Sequence, residues 1–175
     1  MSTFDLGVLL LSVGTGLTFA AHGAQKVFGW WGGPGMAGWQ GAVASMGFRP
    51  APLFAVVSAY IELVGGLLLA IGLITPVAAA ALVAQSVVIV FQAHWSKGFF
   101  NRNGGIEFGM IIGIAAATVL LVGPAAFSLD AMLGIAFAPS TRVALLALGL
   151  VAGAIALAVP RLVAHPPQLH HPRTR

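Results

Sequence analysis

Long stretches without a charged side chain divide this sequence. Asp, Glu, Lys and Arg are missing from residues 6–25, 63–96, 108–129 and 143–160. At about 1.5 Å of helical rise per residue, about 20 apolar residues cross a hydrocarbon core of about 30 Å. The interval 63–96 is too long for one crossing, and Gly72-Leu73-Ile74-Thr75-Pro76 offers a turn inside it. Glycine closes a helix readily, and proline suits the first turn of the next. The pattern therefore predicts spans near 6–26, 54–74, 76–95, 106–123 and 143–159. Asp5 stands ahead of the first apolar run where a secretory signal would carry Lys or Arg, which favours a retained first span over a cleaved leader.

Composition narrows the class further. Hydrophobic residues make up 59% and charged residues 7% of the 175 positions, with a mean hydropathy of +0.99, which excludes a water-soluble globule. The predicted class is all-α and integral to the membrane: a four-helix transmembrane bundle over 1–123, then a loop and a fifth, C-terminal helix over 124–160. The basic pI reflects eight Lys/Arg against four acids, scattered rather than gathered into a stripe, so it argues for topology and against nucleic acid as a partner. All the bases except Arg142 fall on one side of the predicted spans. The bias of Lys and Arg towards cytoplasmic loops then predicts a multi-pass protein of the cell (plasma) membrane with its N-terminus outside and its C-terminus in the cytoplasm. There is no cysteine, which removes thiol, disulfide and Cys-ligated metal chemistry from this chain.

Two stretches outside the predicted spans stand out. Loop 27–53 holds Trp30, Trp31 and Trp39 in a Gly-rich setting. Indoles at headgroup depth form an ordinary aromatic belt, with Met36 to Met46 as a short interfacial helix. The sharper alternative is a re-entrant flap that roofs a pocket, Trp30 and Trp31 contacting a ligand. The tail 161–175, rich in His and Pro, reads as a disordered cytoplasmic segment.

Ionisable groups inside an apolar span cost several kcal/mol unless paired or hydrated, so they mark the candidate chemistry. Glu62 lies about eight residues into the second predicted span, roughly 12 Å deep. His22 closes the first span, His94 closes the third, Glu107 opens the fourth, and Gln85 sits near the middle of the third. With alternating helix directions, His22, Glu62, His94 and Glu107 converge on one half of the bundle, the usual place for a ligand site between helices. His22 and Glu62 are the expected proton-exchanging pair. The plainer reading is that these groups satisfy one another and fix helix register, with Glu107 complementing a helix dipole. Two His and two Glu could ligate a metal, but neither Glu-x-x-His nor His-Glu-x-x-His occurs, and no metal site is assigned. Ala21-His22…Lys26-x-Phe28 echoes Ala93-His94…Lys97-x-Phe99, and Ile61-Glu62-Leu63 echoes Ile106-Glu107-Phe108, a pattern suited to two parallel helix pairs. Gly149-x-x-x-Gly153 in the fifth span suits helix association, including a homo-oligomer.

His22-Gly23-x-x-Lys26-x-Phe28-Gly29, the Gly-rich loop, Glu62 followed by Gly65-Gly66, and Gly105-x-Glu107 together resemble the DoxX family of small membrane proteins, over about residues 6–123. The resemblance implies a four-helix membrane bundle and a link to membrane oxidoreductase assemblies, some of them quinone-dependent. On this reading the chain is the membrane subunit of a redox system, with quinone as the candidate cofactor and an oxidoreductase subunit as the candidate partner. Glu62 and His22 would exchange protons and Lys26 would steady an oxyanion. Two other classes stay open: a proton or small-solute transporter with Glu62, Gln85 and His22 along its path, and a non-catalytic anchor for an oxidoreductase.

Overall fold

The computed structural model describes residues 2–162. Among them there is no strand. The helices are α1 (Thr3–Phe28), α2 (Gly35–Ser45), α3 (Ala51–Ile71), α4 (Thr75–Lys97), α5 (Glu107–Val122), α6 (Leu129–Met132) and α7 (Pro139–Leu162). Four of them, α1, α3, α4 and α7, are long and apolar enough to cross a membrane. The predicted fourth span, α5, is apolar but has only 16 residues, about 24 Å of rise. Gly123, at φ 92°, and Pro124 end it. The expected tail at 161–175 lies outside the described residues from 163 onward.

Local chemistry explains where the helices start and stop. The first begins at Thr3, three residues before the predicted boundary, because Ser2 and Asp5 form a reciprocal capping box. Gly29, at φ 74°, closes it in the left-handed region. The turn between α3 and α4 falls at Gly72–Ile74, as its sequence predicts, but its stability comes from a distant residue. Asp130, fully buried on α6, accepts the backbone N–H groups of Ile74 at 2.6 Å and Thr75 at 2.8 Å. A carboxylate is thus set on the positive end of α4, and it holds Ile74 at φ 43°, a costly setting for a β-branched residue. Arg142 serves the opposite kind of end: its Nη1 donates to the carbonyls of Leu121 at 3.0 Å and Val122 at 2.5 Å, capping α5.

Small residues set how closely the helices approach. A Cβ on Gly16 would come within 2.5 Å of backbone atoms of Gly66 and Ala70, and one on Gly66 would meet the backbone of Ala20. In lipid, where apolar burial drives little association, such close contact of backbones is the main attraction between helices. Ser12 adds a buried hydrogen bond across the same seam, Oγ to the Leu69 carbonyl at 2.6 Å. Phe19, Leu69, Leu82, Val119 and Leu120 fill the centre where α1, α3, α4 and α5 meet.

The C-terminal helix joins the bundle through its small-residue stripe. Gly149 lies against Ala80, and Gly153 against Ala84 and Val87 of α4. The pattern read from sequence as suited to an oligomer is therefore occupied within the chain. Only 11% of the apolar stretch of α7 is buried, against 33–44% in the other three long helices, so α7 is a peripheral helix.

Candidate functional site

The α1–α3 seam puts two charged residues together. Gly23 lets α1 lie directly on Leu63, where any Cβ would clash with the backbone. One turn further along α1, the Lys26 ammonium meets Glu62 Oε1 in a salt bridge, the two side chains 13% and 1% exposed. Because α3 begins at Ala51 rather than residue 54, Glu62 lies roughly 16 Å along it, deeper than its sequence position suggests. The chain around Glu62 is wound as a π-helical turn over Ile61–Gly65, and Ile89–His94 forms a second such turn in α4. These wider turns re-aim side chains within a helix and concentrate at working sites.

Glu62 is only partly satisfied. Oε1 also accepts from Gln85 Nε2 at 2.9 Å, while Oε2 is buried with no hydrogen-bond partner. The Lys26 ammonium additionally sits 4.2 Å from the ring centroid of Trp39, whose indole N–H donates to Ser58 Oγ at 2.9 Å. The ion pair therefore carries unused hydrogen-bonding capacity in a low-dielectric setting, where an unmet polar atom is costly.

A cavity of about 520 Å³ opens beside this pair, lined among others by His22, Lys26, Trp39, Glu62, His94 and Lys97. One end of the bundle thus gathers the last turns of α1 and α4, the middle of α3 and the covering helix α2. The wall contributed by α2 and its C-cap comes from Trp39, Ala42, Ser45 and Met46. Loop 27–53 therefore does cover a pocket, through α2 itself.

The predicted site residues separate into two groups. His22, Lys26, Glu62 and His94 line the cavity. The partner of Glu62 is Lys26, while His22, its expected proton-exchanging companion, shares the cavity wall and packs its ring against Phe108, centroids 5.3 Å apart. His94 Nδ1 donates to the Gly104 carbonyl at 2.5 Å, which leaves Nε2 as its free ring nitrogen. Gln85 reaches the site through its bond to Glu62 and lines the adjoining cavity instead. Glu107 stays apart: its Oε2 accepts the Asn101 N–H at 2.9 Å, which steadies the loop before α5. Trp30 and Trp31 are exposed and stack on each other edge to face, outside the cavity lining. The indole that does line it is Trp39, on the inner face of α2. Its place in the first turn of the predicted Met36–Met46 helix is the available sequence signal.

A helical, multi-pass membrane protein with a buried ion pair beside a partly open cavity that carries charged side chains is the class these features define. The chain belongs to the DoxX family, whose model matches residues 7–95. That match includes His22, Lys26, Glu62, Gln85 and His94 and ends before Glu107. The chain is also 29% identical over 129 residues to "Putative oxidoreductase CatD" of Bacillus subtilis (strain 168), an overlap of 73% of this chain and 87% of that protein. No solved structure matches it.

Proposed function

We propose that this protein is the quinone-binding membrane subunit of a redox system, its polar cavity taking the headgroup. The observation that carries the reading is the Lys26–Glu62 pair: a cation and a carboxylate with one unpartnered oxygen, both lining a cavity large enough for a small ring. Reduction of a quinone takes up two electrons and two protons. The Lys26 ammonium is suited to donate to a quinone carbonyl, and its charge favours the oxygen as it becomes negative. Glu62 is suited to pass a proton, with His22 and His94 Nε2 as further exchange groups on the same cavity wall. The electrons come, in this reading, from a partner oxidoreductase subunit, and the name of the Bacillus subtilis relative supports a redox assignment. We further place the protein in the plasma membrane, with the cavity end and C-terminus cytoplasmic, following the distribution of Lys and Arg.

The transporter alternative has less support. Asp5, Asp130 and Arg142, the ionisable side chains of the opposite end among those described, are all committed to capping helix ends. A polar route from the cavity to that end would have to do without them.

The test uses Trp39 as reporter. Replacing Trp30, Trp31 and Trp95 with Phe leaves Trp39 the sole tryptophan of the four. Titration of this protein in lipid nanodiscs with a short-chain benzoquinone is expected to quench its fluorescence saturably and raise the melting temperature. Glu62→Gln should weaken binding by about tenfold or more, about 1.4 kcal/mol. Unchanged fluorescence and unchanged melting on saturation would refute the assignment.

A further inference from the structure

A second cavity, about 220 Å³, lies against the polar one and differs from it in character. Its walls include Val43, Phe54, Val57 and Ile61 on one side and Ala152 and Ala156 of α7 on the other. Trp39, Met46, Ile89 and Ala93 line both cavities, and the Gln85–Glu62 hydrogen bond joins a residue of the apolar lining to one of the polar lining. The space is below the roughly 300–1,000 Å³ of a site that encloses a whole small ligand, but suits a segment of hydrocarbon chain.

We infer that the apolar cavity takes the first part of the hydrocarbon chain of the quinone whose ring occupies the polar cavity, making α7 a wall of the ligand site. This rests on the quinone reading above. Continuity of the two linings argues for one amphiphilic occupant: a ring beside Lys26 and Glu62 would have its chain start at the shared Trp39–Ile89 wall. The peripheral position of α7 fits the role. Glycines at 149 and 153 bring its backbone against α4, and Ala152, Gly153 and Ala156 line the cavity, too small to fill the space.

Two filling variants, Ala156→Phe from α7 and Val57→Trp from α3, narrow the cavity from opposite sides at positions that are half-buried and exposed, so at least one should retain the wild-type fold. Binding of a chain-less 1,4-benzoquinone and of the same ring with a ten-carbon chain is measured for the full chain in identical nanodiscs, so that partition of the chain into lipid cancels between variants. In a variant with wild-type melting temperature, affinity for the chain-bearing quinone should fall about tenfold or more while the chain-less ring binds within about twofold of wild type. An unaltered preference for the chain-bearing ligand in the folded variants would overturn the inference and leave the headgroup site standing. If neither quinone binds the wild-type protein, the headgroup reading fails first and the inference with it.

Discussion

At the scale of single residues, the site depends on a charge pair that the membrane tolerates only as a pair. Removing one partner from a buried ion pair costs about 3–5 kcal/mol, whereas replacing both with apolar groups of similar size is often close to neutral. Lys26→Met should therefore lower stability sharply, because it strands the carboxylate of Glu62, which is almost wholly buried. Glu62→Leu should cost less, since Lys26 retains some exposure and the Trp39 ring. The double variant should recover most of the loss yet bind no quinone. Denaturant titration in detergent micelles gives the cycle; simple additivity of the two single costs would mean the groups are not coupled. The sequence exposed Glu62 as a carboxylate at the wrong depth, but its partner was harder to read. Helical spacing places His22 and Lys26 on the same stretch of α1, and only the Gly23–Leu63 contact decides which of them reaches the carboxylate.

At the scale of elements, the helices were legible because hydrophobic runs and Gly/Pro breaks report directly on lipid crossing. Their detailed winding was not. The π-helical turns at Ile61–Gly65 and Ile89–His94 leave no trace in the hydrophobic pattern, which reports the span and not its winding. Asp130 was visible only as a loop charge, 55 residues from the N–H of Thr75 that it binds. Loss of its carboxylate frees two N–H groups in a buried setting. Asp130→Ala is expected to destabilise the protein by about 2 kcal/mol or more, and Asp130→Asn by less, because one acceptor remains. Thermal melting of the two variants checks the order; equal, negligible effects would show that the α3–α4 turn holds without the cap. At the α1–α3 seam, Gly66→Leu should disrupt the fold far more than a change on the lipid-facing side such as Leu67→Ala, as read by the yield of monodisperse protein.

For the whole molecule, sequence alone separates a bundle from an added C-terminal helix but cannot assign that helix a neighbour. Gly149 and Gly153 fit a second copy of the chain or a helix of the same chain equally well by spacing, and the structure commits them to α4. Replacing both with Leu should release α7 from α4, lower the melting temperature and speed proteolysis in the 124–138 segment; unchanged melting and cleavage would contradict this packing. The same assembly explains why the candidate site was only half visible. The groups that contribute charge announce themselves in an apolar sequence, but the covering surfaces, Trp39 of α2, Met46 at its C-cap and Ala156 of α7, are ordinary residues whose role comes from tertiary position. An electron-density map of protein crystallised with its native lipids would reveal whether the cavity faced by the Lys26–Glu62 pair holds a ligand headgroup. Ring-shaped density is expected within hydrogen-bonding distance of the Lys26 ammonium, bounded by Trp39 and His22. A cavity filled by inward collapse of α2, or a chain of water leading from Glu62 to the opposite end of the bundle, would contradict that expectation.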